Sequence, residues 1–399
     1  MKFVIATDIH YISRELIKNK NLFLDILKKS DGKVINYISY IFDAFIEEVI
    51  AIHPDGVILS GDLSYNGEKI SHEELKAKLN ILKNNNIDVF IIPGNHDINN
   101  FLAKEINDKM LRVSTVTPAE FLTIYKYFGY NNSFKKDPTS LSYIIKATEN
   151  HWLFFLDSCL YNENTETKTI SNGNIKDSTY NWLEINLRYA KKNKIFPIIV
   201  CHHNLLIHNS VFYKSFTLDN NTKILKLLEK YNVKIFISGH THLQSIVSYN
   251  NEVYDISTNA LGLYPNQYGI LEINNNEIKY NSAKVNVTTW ARNNNLTSPD
   301  LMNFETYSYN FFKSISYNKK LNEIASLELP AEIASEMAKG FSLLNINYFS
   351  GRIHEYKETF ISSKYYKLWM QYGNDFNKKY INSILNTENI DSNSFTLKL

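Results

Sequence analysis

Short apolar runs rich in Ile, Val and Phe alternate with segments of helical spacing over the first 245 residues. The runs are bounded by Gly, Pro, Asp or His, which is typical of strands buried on both faces. The six runs are KFVIATD, GVILSGD, DVFIIPGN, HWLFFLDS, IFPIIVCHH and VKIFISGH. The helical segments cover residues 34–52, 71–83, 178–192 and 222–231. Strand–helix repetition of this kind predicts a layered α/β domain with right-handed crossovers.

The pattern changes twice towards the C-terminus. Residues 243–284 alternate apolar and polar positions and contain Asn-rich turns, which predicts hairpins that continue a second sheet. The result would be a β-sandwich with helices outside. After Val287 the pattern is helical, with predicted helices over residues 298–316, 330–345 and 350–385. We therefore predict a domain over residues 1–287 and a small all-α C-terminal domain over residues 288–399.

Two long insertions interrupt the α/β pattern, over residues 11–33 and 98–140. Each begins beyond the C-terminal end of a predicted strand, where open α/β sheets place their ligand crevice. Loops longer than about 15 residues in a compact domain are usually functional or disordered. We predict that both insertions act as lids.

Composition narrows the classes of function. The chain of 399 residues has 43 basic and 41 acidic side chains and a net charge of +2, so stable nucleic-acid binding and a nuclease function are disfavoured. The sequence lacks an apolar run of 18 residues and a signal-peptide pattern, which predicts a cytoplasmic protein that does not span a membrane. Its two cysteines, Cys159 and Cys201, end apolar runs and are expected to be buried free thiols. Composition leaves the oligomeric state open.

Polar residues with metal-binding chemistry follow five of the predicted strands. Any one of these groups is a weak signal, but five at the same end of successive strands indicate one site. The groups are Asp8 with His10, Gly61 with Asp62, the run from Gly94 through Asn95 and His96 to Asp97, the pair His202 and His203, and Gly239 with His240 and His242. Carboxylate, imidazole and amide oxygen ligands suit Mn²⁺, Fe, Zn²⁺ or Co²⁺. Because there are more ligands than one ion requires, we predict two ions that share a bridging carboxylate.

These five blocks resemble those of the calcineurin-like metallophosphoesterase superfamily, and the resemblance covers residues 1–285. It implies a four-layer αββα sandwich that holds two divalent or mixed-valence ions of the manganese, iron and zinc class. By this resemblance the first ion is bound by Asp8, His10, Asp62 and His242. The second ion is bound by Asp62, Asn95, His202 and His240, with Asp62 bridging. His96 would not bind metal but would contact the phosphate or the leaving-group oxygen.

Two details narrow the substrate class. The protein-phosphatase branch of the superfamily has G-D-x-x-D-R-G where this chain reads GDLSYNG, so the second Asp and the Arg are missing. The stretches GDLSYNGEKISHEEL, GNHD, HHNLL and GHTHLQSI instead resemble bacterial phosphodiesterases of the cyclic-nucleotide class, some of which carry a helical C-terminal extension. The resemblance implies hydrolysis of a cyclic nucleotide or another small phosphodiester, in which a metal-bridged hydroxide attacks phosphorus in line and His96 assists the departing oxygen.

Three alternatives remain at this point. The same ligands would serve a phosphomonoesterase or a nucleotide pyrophosphatase, whereas a non-enzymatic scaffold is disfavoured because every ligand position is filled. The expected partner is a small phosphorylated substrate, with a nucleotide as one candidate. Two further histidines, His203 and His208, are candidates for the substrate pocket. The other histidines are expected to have structural or surface roles.

Overall fold

The computed structural model describes residues 1–387 and 391–398. Thirteen strands in the described residues form two sheets that pack face to face. In chain order the strands are β1 (Lys2–Ala6), β2 (Gly56–Ser60), β3 (Asp88–Ile92), β4 (Lys135–Lys136), β5 (Tyr143–Lys146), β6 (His151–Leu156), β7 (Phe196–Cys201), β8 (Ile235–Ser238), β9 (Ser245–Tyr249), β10 (Val253–Ser257), β11 (Gln267–Ile273), β12 (Glu277–Lys284) and β13 (Ser394–Lys398). The first sheet has the order β13-β12-β11-β1-β2-β3, and the second has the order β4-β5-β6-β7-β8-β10-β9.

Helices flank the sandwich and form a separate C-terminal group. The α-helices are α1 (Lys20–Lys28), α2 (Ile38–Ile52), α3 (Lys69–Asn84), α4 (Pro118–Tyr125), α5 (Asp177–Lys192), α6 (Asn221–Lys230), α7 (Val287–Asn293), α8 (Pro299–Met302), α9 (Phe304–Ile324), α10 (Ala331–Phe349), α11 (Ile353–Ile361), α12 (Lys364–Tyr372) and α13 (Asp375–Leu385). Short 3-10 turns lie at Arg14–Leu16, Ile35–Tyr37, Tyr161–Glu163 and Ala325–Leu327, and a π-turn at Lys126–Tyr130.

Both faces of the central strands are buried, as the continuous apolar runs predict. On β7, Ile198 and Val200 face the core between the two sheets, whereas Ile199 and Cys201 face the core beneath α5 and α6. Successive side chains of a strand point to opposite faces, so a strand inside a four-layer sandwich needs apolar residues at every position. The predicted α/β fold, with helices outside a β-sandwich, is confirmed.

The sheets differ from the prediction in which strands they contain. Strands β11 and β12 do not extend the second sheet; they join the first, where β11 pairs antiparallel with β1. Alternate residues of β11, including Leu271 and Ile273, lie in the core between the sheets. Strands β4 and β5 were not predicted. Lys135–Lys136 lies inside the second long insertion and carries no apolar pattern, whereas β5 is a short apolar run of four residues directly after that insertion.

The two insertions contact each other. The carbonyl of Ile106 accepts hydrogen bonds from the backbone N–H groups of Lys18 and Asn19 at 3.0 and 2.9 Å, and the N–H of Ile106 donates to Leu16 at 2.7 Å. The insertions thus form one joined segment rather than two independent flaps. Their action as lids stays a prediction.

The C-terminal helices have their own apolar core, which includes the fully buried Trp369 and Phe341. This confirms an all-helical C-terminal region, although β13 returns to the first sheet and pairs with β12. The division at residue 287 stays a prediction, and the residues 388–390 and 399 of that predicted domain lie outside the described residues. Among the helices in residues 1–387 and 391–398, none is long and apolar enough to cross a membrane.

Candidate metal centre

The predicted ligands converge at one edge of the sandwich, where the parallel strands of the two sheets end. Several of them adopt left-handed backbone conformations. The φ angles are 49° at Asp8, 48° at His10, 48° at Asp62, 65° at His240 and 57° at His242. Such conformations cost a non-glycine residue about 1–3 kcal/mol each, and they concentrate at functional sites. The backbone turns sharply at the end of each strand, and these turns aim the side chains into a common space.

One cluster combines Asp8, His10, Asp62 and His242, whose nearest ligand atoms all lie within 4.8 Å of one another. The Nε2 atom of His242 is 3.2 Å from Asp8 Oδ1 and 3.3 Å from His10 Nε2. The Nε2 atom of His10 is 3.7 Å from Asp62 Oδ2. Four oxygen and nitrogen donors facing one point fit the coordination of a divalent transition-metal ion.

A second cluster combines Asp62, His202 and His240 within the same limit of 4.8 Å. The Nε2 atom of His202 lies 3.4 Å from Asp62 Oδ1 and 3.1 Å from the amide oxygen of Asn95. The two clusters therefore share Asp62, and Asn95 completes the second one. A shared carboxylate between two donor sets is the arrangement found in two-metal sites.

Burial and charge in the clusters favour a cation. Burial alone would raise the pKa of Asp62, but His202 and His96 hold it well below its usual range. Burial by itself would lower the pKa of His202, but the carboxylate of Asp62 outweighs burial and raises this pKa to about 9. Burial and His202 lower the pKa of His240 to about 3, so that ring is neutral and has a free lone pair. His202 would have to lose its proton to bind a divalent ion, and the carboxylates of Asp8 and Asp62 would provide the negative field for that ion.

One buried oxygen tests whether the residues present fit a metal. Asp8 is fully buried, and its Oδ1 atom accepts no well-aligned hydrogen bond within the described structure, although Nε2 of His242 lies 3.2 Å away. Its other oxygen, Oδ2, accepts from the Thr7 hydroxyl at 2.8 Å and from the backbone N–H of His240 at 2.9 Å. A buried carboxylate oxygen that faces only imidazole nitrogens and accepts no well-aligned hydrogen bond suits a bound cation. The donor set therefore fits a metal.

Two glycines in the motifs allow the strand ends to approach each other. A Cβ atom at Gly94 would collide with the backbone and carboxylate of Asp62, and one at Gly239 would collide with Thr7 and Asp8. Glycine is required at both positions because a side chain would displace a carboxylate. The motif glycines thus serve the packing around the ligands.

His96 stands beside the shared carboxylate with a different set of contacts. Its backbone N–H donates to Asp62 Oδ1 at 2.9 Å, whereas its Nε2 atom is 3.9 Å from Asp62 Oδ2. Its Nδ1 atom lies 2.9 Å from the carbonyl oxygen of Tyr65 and 3.1 Å from the side-chain oxygen of Asn66. In the motif, Tyr65 and Asn66 stand at the sequence positions of the missing Asp and Arg. The side chain of His96 is 35% exposed.

Backbone carbonyls fix the outer nitrogen of both histidines in the second cluster. The Nδ1 atom of His202 lies 2.9 Å from the oxygen of Ser60 on β2, and the Nε2 atom of His240 lies 2.8 Å from the oxygen of Ser215. Each contact holds a proton on the outer nitrogen and leaves the inner one as a lone-pair donor. The inner nitrogen is Nε2 in His202 and Nδ1 in His240.

Sequence reasoning missed two side chains next to the first cluster. Asp31 lies 3.2 Å from Nδ1 of His242, and Lys33, which is nearly buried, forms an ion pair with Asp31 at 2.9 Å. Both residues end the first insertion, where spacing gives no signal because a loop has no period. Only the position of the insertion beyond β1 could have directed attention to them.

The two histidines predicted as substrate-pocket candidates, His203 and His208, belong to neither cluster. His203 is fully buried, with Nδ1 2.8 Å from the Ser158 hydroxyl and its ring 4.5 Å from that of His240. His208 does not join either cluster: it lies 2.9 Å from the Ser245 hydroxyl and 3.3 Å from Asp255. It lines a separate cavity of about 780 Å³ beside α13.

A β-sandwich with two Asp- and His-rich clusters at its strand ends defines the class of metal-dependent hydrolases with paired ions. A family model described as calcineurin-like phosphoesterase matches residues 1–244, and the chain belongs to this family. It is therefore a metal-dependent phosphoric ester hydrolase of a family that uses a dinuclear metal site, and its two clusters could bind metal. A second family model, described as the C-terminal domain of cyclic nucleotide phosphodiesterase, matches residues 286–391.

The individual relatives have low sequence identity to this chain. A probable cyclic nucleotide phosphodiesterase from Ruthia magnifica subsp. Calyptogena magnifica is 24% identical over 241 residues, which covers 60% of this chain and 77% of the relative. Another, from Coxiella burnetii, is 26% identical over 201 residues and covers 50% and 65%. Among solved structures, a dimetal phosphatase from Danio rerio aligns with a TM-score of 0.52 at 12% identity over 71% of this chain and 95% of that one. That last likeness concerns the fold alone.

Proposed function

We propose that this chain hydrolyses a small phosphodiester, with a cyclic nucleotide as the substrate class, at a site that holds two ions. The observation that carries the proposal is the shared carboxylate of Asp62 between two donor sets, with the partly exposed ring of His96 beside it. The family match over residues 286–391 and the names of the relatives support the cyclic-nucleotide class. We also propose residues 1–287 as the phosphoesterase domain and residues 288–399 as the helical one.

The proposed ligands follow the two clusters. Asp8, His10 and His242 would hold the first ion, Asn95, His202 and His240 the second, and Asp62 both. When bound, the ions would offset negative charge on the phosphoryl oxygens and lower the pKa of a coordinated water. The manganese, iron and zinc class suits this donor set of oxygen and nitrogen atoms.

His96 is proposed as the group that assists the leaving oxygen. Both neighbours of its Nδ1 atom, the Tyr65 carbonyl and the Asn66 amide oxygen, are acceptors, so Nδ1 carries a proton. A second proton on Nε2 then faces the site and can pass to the departing oxygen, leaving the ring neutral.

The test is a substrate panel on the full chain, loaded separately with Mn²⁺, Fe²⁺ and Zn²⁺. The panel contains adenosine and guanosine 3′,5′-cyclic monophosphates, bis-p-nitrophenyl phosphate, p-nitrophenyl phosphate and a nucleotide pyrophosphate. We expect kcat/KM for the diesters to exceed that for the monoester and the pyrophosphate. A preference for the monoester or the pyrophosphate would overturn the diesterase proposal, and inactivity on every substrate with two ions bound would favour a scaffold.

A further inference from the structure

A loop over residues 207–216, which we call the clamp loop, connects the metal centre to the C-terminal helices. It follows the strand end that carries His202 and runs beside His240. Near the end of the loop, the carbonyl oxygen of Ser215 accepts a hydrogen bond from Nε2, the outer nitrogen of His240, at 2.8 Å. The ring of Phe216 lies 5.2 Å from the His240 ring. Ser215 itself has a left-handed φ of 69°. The orientation of one proposed ligand therefore depends on where this loop is held.

The first part of the clamp loop is held by the C-terminal helices. The ring of Phe212 packs edge-on against Tyr380 of α13, with 4.9 Å between ring centroids, and lies 5.7 Å from Phe376. The side-chain amide of Asn209 donates to the Tyr348 hydroxyl at 3.1 Å and to the Ser383 hydroxyl at 3.0 Å. These contacts join the loop to α10 and α13.

Within the loop, the anchoring residue also sets the local turn. The Oδ1 atom of Asn209 accepts the backbone N–H groups of Val211 and Phe212, each at 2.9 Å. The far end of the loop is tied to the sandwich, since the N–H of Asn204 donates to Phe216 and the Ser215 hydroxyl donates to Asn172. The Ser215 carbonyl thus sits in a segment fixed at one end by the sandwich and at the other by the helices.

We infer that the C-terminal helices, through the clamp loop, position His240 and so set the affinity of the second metal site. The inference rests on the proposed role of His240 as a metal ligand. The hydrogen-bond partners that orient the two histidines of this site lie on different elements. His202 is oriented by Ser60 on a central strand, whereas His240 is oriented by Ser215 on the clamp loop. Loss of an outer hydrogen-bond partner of a metal-binding histidine typically costs about 10–100-fold in metal affinity. Ser215 is a positioning residue, and Phe212 and Asn209 hold it in place.

Phe212→Ala is the variant that tests this, because the ring is 45% exposed and its removal leaves the sandwich core intact. Phe134→Ala is a matched control: Phe134 is 40% exposed and packs edge-on on Trp152 at the same 4.9 Å, far along the second sheet. Zn²⁺ is titrated by calorimetry into metal-free full-length protein. His240→Ala identifies which binding step belongs to the second site.

We expect wild type and Phe134→Ala to bind two ions alike. In Phe212→Ala, the step that His240→Ala abolishes should weaken about tenfold, the lower end of the range for such partners, while the other step stays unchanged. Phe212→Tyr, which keeps the ring, should restore it, and Asn209→Ala should weaken the same step. Two unchanged steps in both Phe212→Ala and Asn209→Ala would overturn the inference. Equal weakening of both metal-binding steps in these variants, together with a lower urea midpoint of unfolding, would also overturn the inference. A wild type that binds fewer than two ions would instead refute the proposed function.

Discussion

The substitution His96→Ala tests the role of the imidazole ring alone, because the backbone of residue 96 keeps its contact with the metal centre. In His96→Ala the backbone N–H still donates to Asp62 Oδ1, so the shared carboxylate keeps its orientation. The lost ring atom nearest to the carboxylate, Nε2, is 3.9 Å away and contributes no close hydrogen bond. We therefore expect the variant to retain two ions per chain and to lose turnover.

The size of the loss depends on the leaving group. General acid catalysis contributes about 10²–10⁴ in rate, which is about 2.7–5.4 kcal/mol of the barrier. An alkoxide leaving group such as ribose oxygen needs the proton and should show the full loss. A p-nitrophenolate leaves without protonation, so its hydrolysis should slow far less.

The assay measures kcat for wild type and His96→Ala across a series of diesters with leaving groups of increasing basicity, with metal content measured by elemental analysis. Asn66→Ala is the companion variant, because it removes one of two acceptors of Nδ1 and leaves the Tyr65 carbonyl in place. A single neutral hydrogen bond contributes about 0.5–1.5 kcal/mol, so this change should cost about tenfold or less. An equal loss for every leaving group would refute proton donation and point to phosphate binding, and loss of metal would refute a role outside the ligand set.

Other substitutions test other parts of the molecule. Asp62→Asn should abolish binding of at least one ion, because a neutral amide bridges two cations poorly; full occupancy by elemental analysis would contradict the bridging role. Asp31→Ala removes the anionic partner of His242 and should weaken the first metal site by about 10–100-fold in a chelator competition, with the second site as internal control. Burial raises the pKa of Glu68 to about 7. Since the unfolded chain releases this proton first, folding stability falls as the pH rises from about 4.5 to about 7, by about 3 kcal/mol. Glu68→Gln should therefore resist urea better than wild type at pH 8 and equally at pH 5; the same difference at both pH values would contradict this. Truncation at residue 287 should yield protein that aggregates or binds metal poorly, and a soluble fragment with two ions would show that the helices are dispensable.

The proposed ligands could be predicted from the sequence because each of them follows a strand with a recognisable apolar pattern. Parallel strands buried on both faces need apolar residues at every position, and their carboxyl ends meet at one edge. A polar group directly after such a run, as in the cases of Asp8 and Asp62, is therefore placed in space by the strand before it. Gly94 and Gly239 are part of the sequence motifs. The reason why glycine is needed there, the close approach of the strand ends, is visible only in the packing.

The groups that orient the ligands were not accessible in this way. The acceptors of His96 and His240 include the backbone carbonyls of Tyr65 and Ser215, and every residue type carries a carbonyl. Asp31 reaches His242 from an insertion of irregular structure, so no periodicity relates the two positions. Sequence patterns identify side chains with special chemistry, whereas the hydrogen-bond partners that fix their direction depend on how loops cross.

The C-terminal helices illustrate the same limit at a larger scale. Helical spacing predicts that each helix has an apolar face, but it does not say what covers that face. In the structure Leu243, directly after the ligand His242, is buried in the core of the helices. The side-chain amide of Asn259 donates both to the carbonyl of His242 at 2.9 Å and to that of Phe349, at the end of α10, at 3.2 Å. The helical pattern after Val287 predicts a separate domain over residues 288–399. These contacts give the opposite expectation, because the block that carries His240 and His242 lies between the sandwich and the helices and is held by both.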